Sequence, residues 1–101
     1  MTVTGGLLRR LDLATLHLVI AVHEEKTLRG AAGREAIAVS AASKRLTQLE
    51  RSLGIKLFLR HARGMRLTKA GDALRRHAEQ IMTVVERIGT DLRAGPGGHA
   101  D

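Results

Sequence analysis

The sequence predicts a mainly α fold in which three short helices and a two-stranded β-hairpin precede one long helix. Three observations carry this. Apolar residues recur at helical spacing in three separate segments, each opened by a capping residue or closed by glycine. After Gly54 the pattern changes to short strand-like runs around a glycine-containing turn. From Leu74 to Leu92 the apolar positions then repeat at steps of four and three, the signature of a helix with one continuous apolar seam.

Residues 1–11 carry Gly5 and Gly6 and no sustained pattern, so they read as a flexible arm with Arg9 and Arg10 near its end. Asp12 is an N-cap for a first helix in which Leu16, Val19, Ile20 and His23 share one side and which stops near Lys26. Thr27 caps a short second helix to about Glu35, with Leu28, Ala31 and Ala32 inward. Its two glycines, Gly30 and Gly33, each cost about 1 kcal/mol relative to alanine, so packing must hold this segment. A third helix runs from Val39 to Leu53, ended by Gly54 in a left-handed conformation. Val39, Ala42, Leu46, Leu49 and Leu53 form its apolar stripe, and Ser40, Ser43, Lys44, Thr47 and Arg51 its other side. Ile55 to Leu59 and Met65 to Leu67 are the strands of the hairpin, with His61, Ala62, Arg63 and Gly64 at the turn. Thr68 caps the long helix, whose seam is Leu74, Ala78, Ile81, Val85, Ile88 and Leu92. Gly95, Pro96, Gly97 and Gly98 begin a flexible tail. The organisation is thus an arm (1–11), a compact domain (12–67), a linker or dimerisation helix (68–93) and a tail (94–101).

At 101 residues, the chain suits one small domain and leaves no room for a second that could enclose a metabolite, so no small-molecule ligand or cofactor is expected in it. Apolar residues make up 44% but Phe58 is the sole aromatic, so the core must be aliphatic. No cysteine is present, which excludes disulfides and thiolate metal ligands. The apolar stretch Leu13 to Val22 is too short to span a bilayer and lacks a cleavage site, which points to a cytoplasmic protein with no membrane partner. The net charge is +7, and residues 1–67 hold 12 Lys/Arg against 5 Asp/Glu, whereas residues 68–101 hold 5 against 5. A basic excess confined to one part of the chain suits a polyanion.

Two short helices joined by a tight turn, the second with a polar and basic outer face, are the parts of a helix-turn-helix whose recognition helix enters the major groove of double-stranded DNA. Serine hydroxyls donate or accept at base edges, Lys44 reaches guanine acceptors or a phosphate, and the small Ala41 permits close approach. The hairpin adds Arg60, His61, Arg63 and Arg66 around a turn, a set suited to a minor groove or its phosphates. No catalytic or metal constellation is found: the five histidines are scattered, Ser40 and Ser43 lack a base and an orienting carboxylate, and no phosphate-binding glycine loop occurs.

These residues also carry a resemblance. Asp12-Leu13 with Leu16, Val19 and Val22, Thr27-Leu28 with Ala31-Ala32, and Ser40 to Leu46 followed by Leu49-Glu50, Leu53-Gly54, Leu57-Phe58 and Arg60 are similar to the N-terminal domain of LysR-type transcriptional regulators. Arg63-Gly64, Leu67-Thr68 and Ala70-Gly71 extend the likeness, which covers about residues 12 to 92. The resemblance implies a winged helix-turn-helix, with base-edge contacts from Val39, Ser40, Ser43 and Lys44. It implies backbone or minor-groove contacts from Arg60, Arg63 and Arg66, and Thr27, Thr47 and Arg51 are expected to contact the DNA backbone beside them. Leu74, Ala78, Ile81, Val85, Ile88 and Leu92 become the seam of a homodimer, with a higher oligomer expected in a full-length protein. Three residues depart from the family pattern. Glu35 stands where leucine is usually buried, and is expected to snorkel outward or pair with an arginine. Ala38 replaces a frequent Ser or Thr cap, and Lys26 a common glycine. The family's usual co-inducer-binding domain is absent from these residues, which fit either an excised DNA-binding portion or a naturally short relative. The rival readings are the winged-helix domain of a molybdate-type regulator and a coiled-coil interaction module that never meets DNA.

Overall fold

The computed structural model describes residues 7–94. The first six residues of the expected arm, and the expected tail beyond Ala94, lie outside the described residues. Residues 7–10 are helical, not a loose arm. Leu11 accounts for the difference: its N–H bonds to the Leu7 carbonyl at 2.7 Å, and its side chain packs against both parts of the core.

The chain continues as α1 (Leu13–Glu25), α2 (Leu28–Arg34), α3 (Val39–Leu53), β1 (Phe58–His61), β2 (Gly64–Leu67) and α4 (Lys69–Ala94). Helix α1 is the centre of the molecule. Asp12 caps it by accepting the Thr15 N–H at 2.7 Å, and Lys26 ends it in the left-handed conformation at φ 64°. The apolar side expected from the sequence is too narrow, because Leu18, Ala21 and Val22 are also fully buried. The cause is tertiary: α2, α3, β2 and α4 all pack on α1, and a helix surrounded by neighbours is apolar all round.

The main core joins Leu18, Val19, Ala21 and Val22 of α1 to Ala31 and Ala32, to Ala42, Leu46 and Leu49, and to Leu57, Phe58 and Met65. Val39 does not belong to it; it is 42% exposed at the first turn of α3, where the chain has only just left the turn between the helices. Glu35 neither snorkels nor meets an arginine. Its half-buried carboxylate accepts the Nδ1–H of His17 at 2.7 Å, which ties the end of α2 to α1. Gly30 also has a packing reason, since a Cβ there would lie 2.8 Å from Thr27 Oγ1, the oxygen that caps α2 through the Gly30 N–H.

The strands pair antiparallel, Phe58 opposite Leu67 and His61 opposite Gly64. Pairing begins later than the apolar run suggests, because the N–H groups of Leu57 and Phe58 are taken by the Glu50 carboxylate at 2.8 and 3.0 Å. Thr68 caps α4 through the Gly71 N–H and also donates its hydroxyl to the Lys56 carbonyl at 2.8 Å. Gly71 itself sits so close to the Leu57 carbonyl that a Cβ would come within 2.1 Å of the oxygen.

The long helix corrects the expected seam. Leaving the hairpin, α4 runs back across α1, so its first apolar positions are covered within the chain: Ala78 is fully buried against Leu16 and Ile20, and Leu74 packs beside them. Only farther along are large apolar side chains left in water, with Ile81 37%, Val84 50%, Ile88 53% and Leu92 77% exposed and Val85 half-buried. Val84 stands outside the four-three repeat and was not expected on this face.

Candidate nucleic-acid interface

The outer face of α3 is positioned by its inner one. Burial of Ala42, Leu46 and Leu49 turns Ser40, Lys44 and Arg51 to solvent, with Ser43 and Thr47 half-buried at the edges. Ala38 provides no side-chain hydrogen bond at the start of α3, so the helix presents Val39 and Ser40 beside uncapped N–H groups and the positive end of its dipole.

The hairpin is fixed relative to this helix at two places. Glu50 holds the entry to β1, as described, and Lys56 approaches the same carboxylate at 3.7 Å. On the other strand the Met65 N–H bonds to the Lys26 carbonyl at 2.9 Å, in the turn between α1 and α2. That approach explains Gly64, where a Cβ would stand 2.4 Å from the same carbonyl oxygen. A further contact between helix and hairpin, toward the outer face of α3, comes from Arg60, whose Nη2 donates to Ser43 Oγ at 3.0 Å.

The register separates cations that the sequence groups around one turn. Arg60 lies opposite Met65 and Leu59 opposite Arg66, so Arg60 and Arg66 fall on opposite faces of the hairpin. Two grooves flank it accordingly. Thr27, Arg29, Arg60 and Arg63 line one, while Lys26, Arg63, Arg66, Lys69 and Arg76 line the other, so the exposed Arg63 at the turn borders both. Arg29 and Lys69 are lone cations outside any sequence pattern, and Lys26 stands out in the sequence only as a helix end and a departure from a common glycine; folding brings all three to the wing.

The distribution of acids sharpens this surface. Glu24 and Glu25 pair with Arg34, Glu35 with His17, and Glu50 with backbone N–H groups. The carboxyl of Asp12 is held below its ordinary value, chiefly by the Thr15 backbone N–H. Every carboxylate before α4 is therefore engaged inside the molecule. Among the described residues Lys44, Arg51, Arg60, Arg63 and Arg66 have no acidic partner. On α4, by contrast, Arg75 bridges Asp72 and Glu79, and Arg76 meets Asp72.

The expected site residues are thus divided. Val39, Ser40, Ser43, Lys44, Thr47 and Arg51 share the α3 face, Arg60 joins them through Ser43, and Thr27 and Arg63 stand around the adjacent groove. Arg66 faces away. Among the described residues no group of three or more His, Asp or Glu side chains could hold a metal ion, and no helix is long and apolar enough to cross a membrane.

Comparison with known proteins agrees with this geometry. Residues 13–72 match the family described as bacterial regulatory helix-turn-helix protein, lysR family. Over 91 residues the chain is 38% identical to the HTH-type transcriptional regulator GbpR of Azospirillum brasilense, covering 90% of this chain and 27% of that protein. Among solved structures, the CbnR_DBD-DNA complex superimposes with a TM-score of 0.75 at 32% identity, over 82% of this chain and 95% of that one. The BenM_DBD/catB site 1 DNA complex gives 0.78 at 29% identity, over 87% and 99%. The chain thus spans about a quarter of the length of GbpR but nearly all of the separate domains crystallised with DNA. Of the two winged-helix families that the sequence left open, the match names one: the chain belongs to the lysR family of bacterial regulatory helix-turn-helix proteins and corresponds to the DNA-binding domain of such a regulator.

Proposed function

We propose that this chain binds double-stranded DNA sequence-specifically as a homodimer, in the cytoplasm, with α3 in the major groove and the hairpin wing at the neighbouring minor groove or its phosphates. The observation that carries the reading is the run of cations without acidic partners, from Lys44 and Arg51 on α3 to Arg60 and Arg63 on the wing, beside the exposed hydroxyl of Ser40. Val39, Ser40, Ser43 and Lys44 meet base edges, Lys44 reaching guanine O6 and N7. Thr27, Thr47, Arg51, Arg60 and Arg63 hold phosphates, and the wing arginines suit a narrow A·T-rich groove. Arg66, on the far face of the hairpin, serves the second strand flanking an inserted wing, since a minor groove has a backbone on each side. Regulation of transcription, and any response to an inducer, are activities of full-length regulators, of which this chain spans about a quarter in the case of GbpR.

Fluorescence anisotropy of a labelled duplex tests this. The association constant should fall linearly with salt on a logarithmic plot, by about 0.9 per phosphate neutralised. Lys44→Ala should cost about 1 to 3 kcal/mol at one base pair and little at the others. Binding indifferent to salt, or uniform loss over all duplexes for Lys44→Ala, speaks against this placement of α3.

A homodimer is favoured by the distal half of α4. Ile81, Val84, Ile88 and Leu92 are too apolar and too exposed to be left in water together, and a second copy of the same helix is the simplest cover. Two recognition helices then present themselves with two-fold symmetry.

A further inference from the structure

We propose that Arg60 is a positioning residue for base reading, which fixes Ser43 as a hydrogen-bond donor toward DNA and so makes the wing part of the specificity of α3. The proposal rests on the DNA-binding reading above. A guanidinium carries donors only, so in the contact between Arg60 Nη2 and Ser43 Oγ, at 3.0 Å, the hydroxyl is the acceptor. One lone pair of Ser43 is therefore occupied and its proton must point away from Arg60. A free serine rotor reads either a donor or an acceptor at a base edge. A serine whose oxygen already accepts from a cation is polarised toward donation. Ser43 so held selects guanine O6 or N7, adenine N7 or thymine O4 over the amino groups of cytosine and adenine.

The rest of the fold holds this contact in place. Glu50 pins the start of β1 to the last turns of α3, and the Met65 bond to Lys26 pins β2 to the turn before α2, so the hairpin cannot swing freely away from the recognition helix. Arg60 is exposed and Ser43 half-buried, so neither is needed for the core.

The test is a base-substitution panel on one tightly bound duplex, each position carrying all four base pairs in turn. It is read with the wild type, Ser43→Ala, Arg60→Ala and the double variant, after circular dichroism has shown all four folded. Ser43→Ala should lose roughly tenfold discrimination at one base pair. Arg60→Ala should relax discrimination at that same pair, and the double variant should add nothing further there. Retained discrimination at the Ser43 pair in Arg60→Ala, with affinity lowered evenly over the panel, overturns the proposal and leaves Arg60 as a phosphate contact with no part in base reading. Unchanged discrimination in Ser43→Ala overturns it from the other side, while DNA binding by the protein still stands. A wild type that prefers no duplex brings down the reading on which the proposal depends.

Discussion

Single residues show where this chain departs from the easiest solution. Lys26 holds a left-handed conformation that glycine adopts without a Cβ clash, and its carbonyl is committed to Met65. Lys26→Gly keeps that bond and should stabilise the domain by about 1 kcal/mol, raising the melting temperature by about 4 to 8 °C in a thermal scan. Ala36, at φ 59°, offers the same gain in the turn between α2 and α3. Glu50→Ala should act oppositely, since it leaves the N–H groups of Leu57 and Phe58 without their acceptor and should cost about 2 kcal/mol by urea unfolding. A loss under 0.5 kcal/mol there would mean that water replaces the carboxylate at no cost. Asp12 has a pH signature. Because its folded value lies below the ordinary 3.8, its stabilisation is complete above that value and fades as pH falls through the folded one. Asp12→Ala should therefore lower stability at neutral pH by about 1 kcal/mol and flatten the acid limb of the stability profile.

At the scale of elements, helix and cap signals were legible in the sequence, and pairwise tertiary choices were not. The third helix runs from Val39 to Leu53 as its periodicity and Gly54 dictate, and Asp12, Thr27 and Thr68 all cap. What periodicity cannot show is which partner covers a stripe. Leu74 and Ala78 belong to the same heptad repeat as Ile88 and Leu92, yet the first pair is spent on α1 within the chain. Likewise His17 and Glu35, 18 residues apart, become partners only through the packing of α2 on α1. The outer face of α3 was readable because one stripe determines its opposite, whereas the separation of Arg60 from Arg66 depends on a strand register that the sequence left open. The division of α4 makes a paired prediction. Ala78→Arg should unfold the domain, whereas Ile81→Arg should leave it folded and monomeric in sedimentation, with much weaker DNA binding. A folded Ile81→Arg variant that sediments as a dimer would remove the distal seam from the interface.

For the whole molecule, a small aliphatic core orients α3 and the wing, and the carboxylates before α4 are capped or paired within the chain, so Lys44, Arg51, Arg60 and Arg63 stand on these two elements without acidic partners. That arrangement, together with the exposed apolar side chains on the distal half of α4, supports the central proposal that two recognition helices read one duplex about a two-fold axis. The most direct measurement is selection of bound sequences from a random duplex pool by the wild-type protein. The account predicts enrichment of two inverted half-sites, their centres separated by about 10 bp or a multiple of it. Enrichment of a single unpaired half-site, or of no sequence at all, would contradict it.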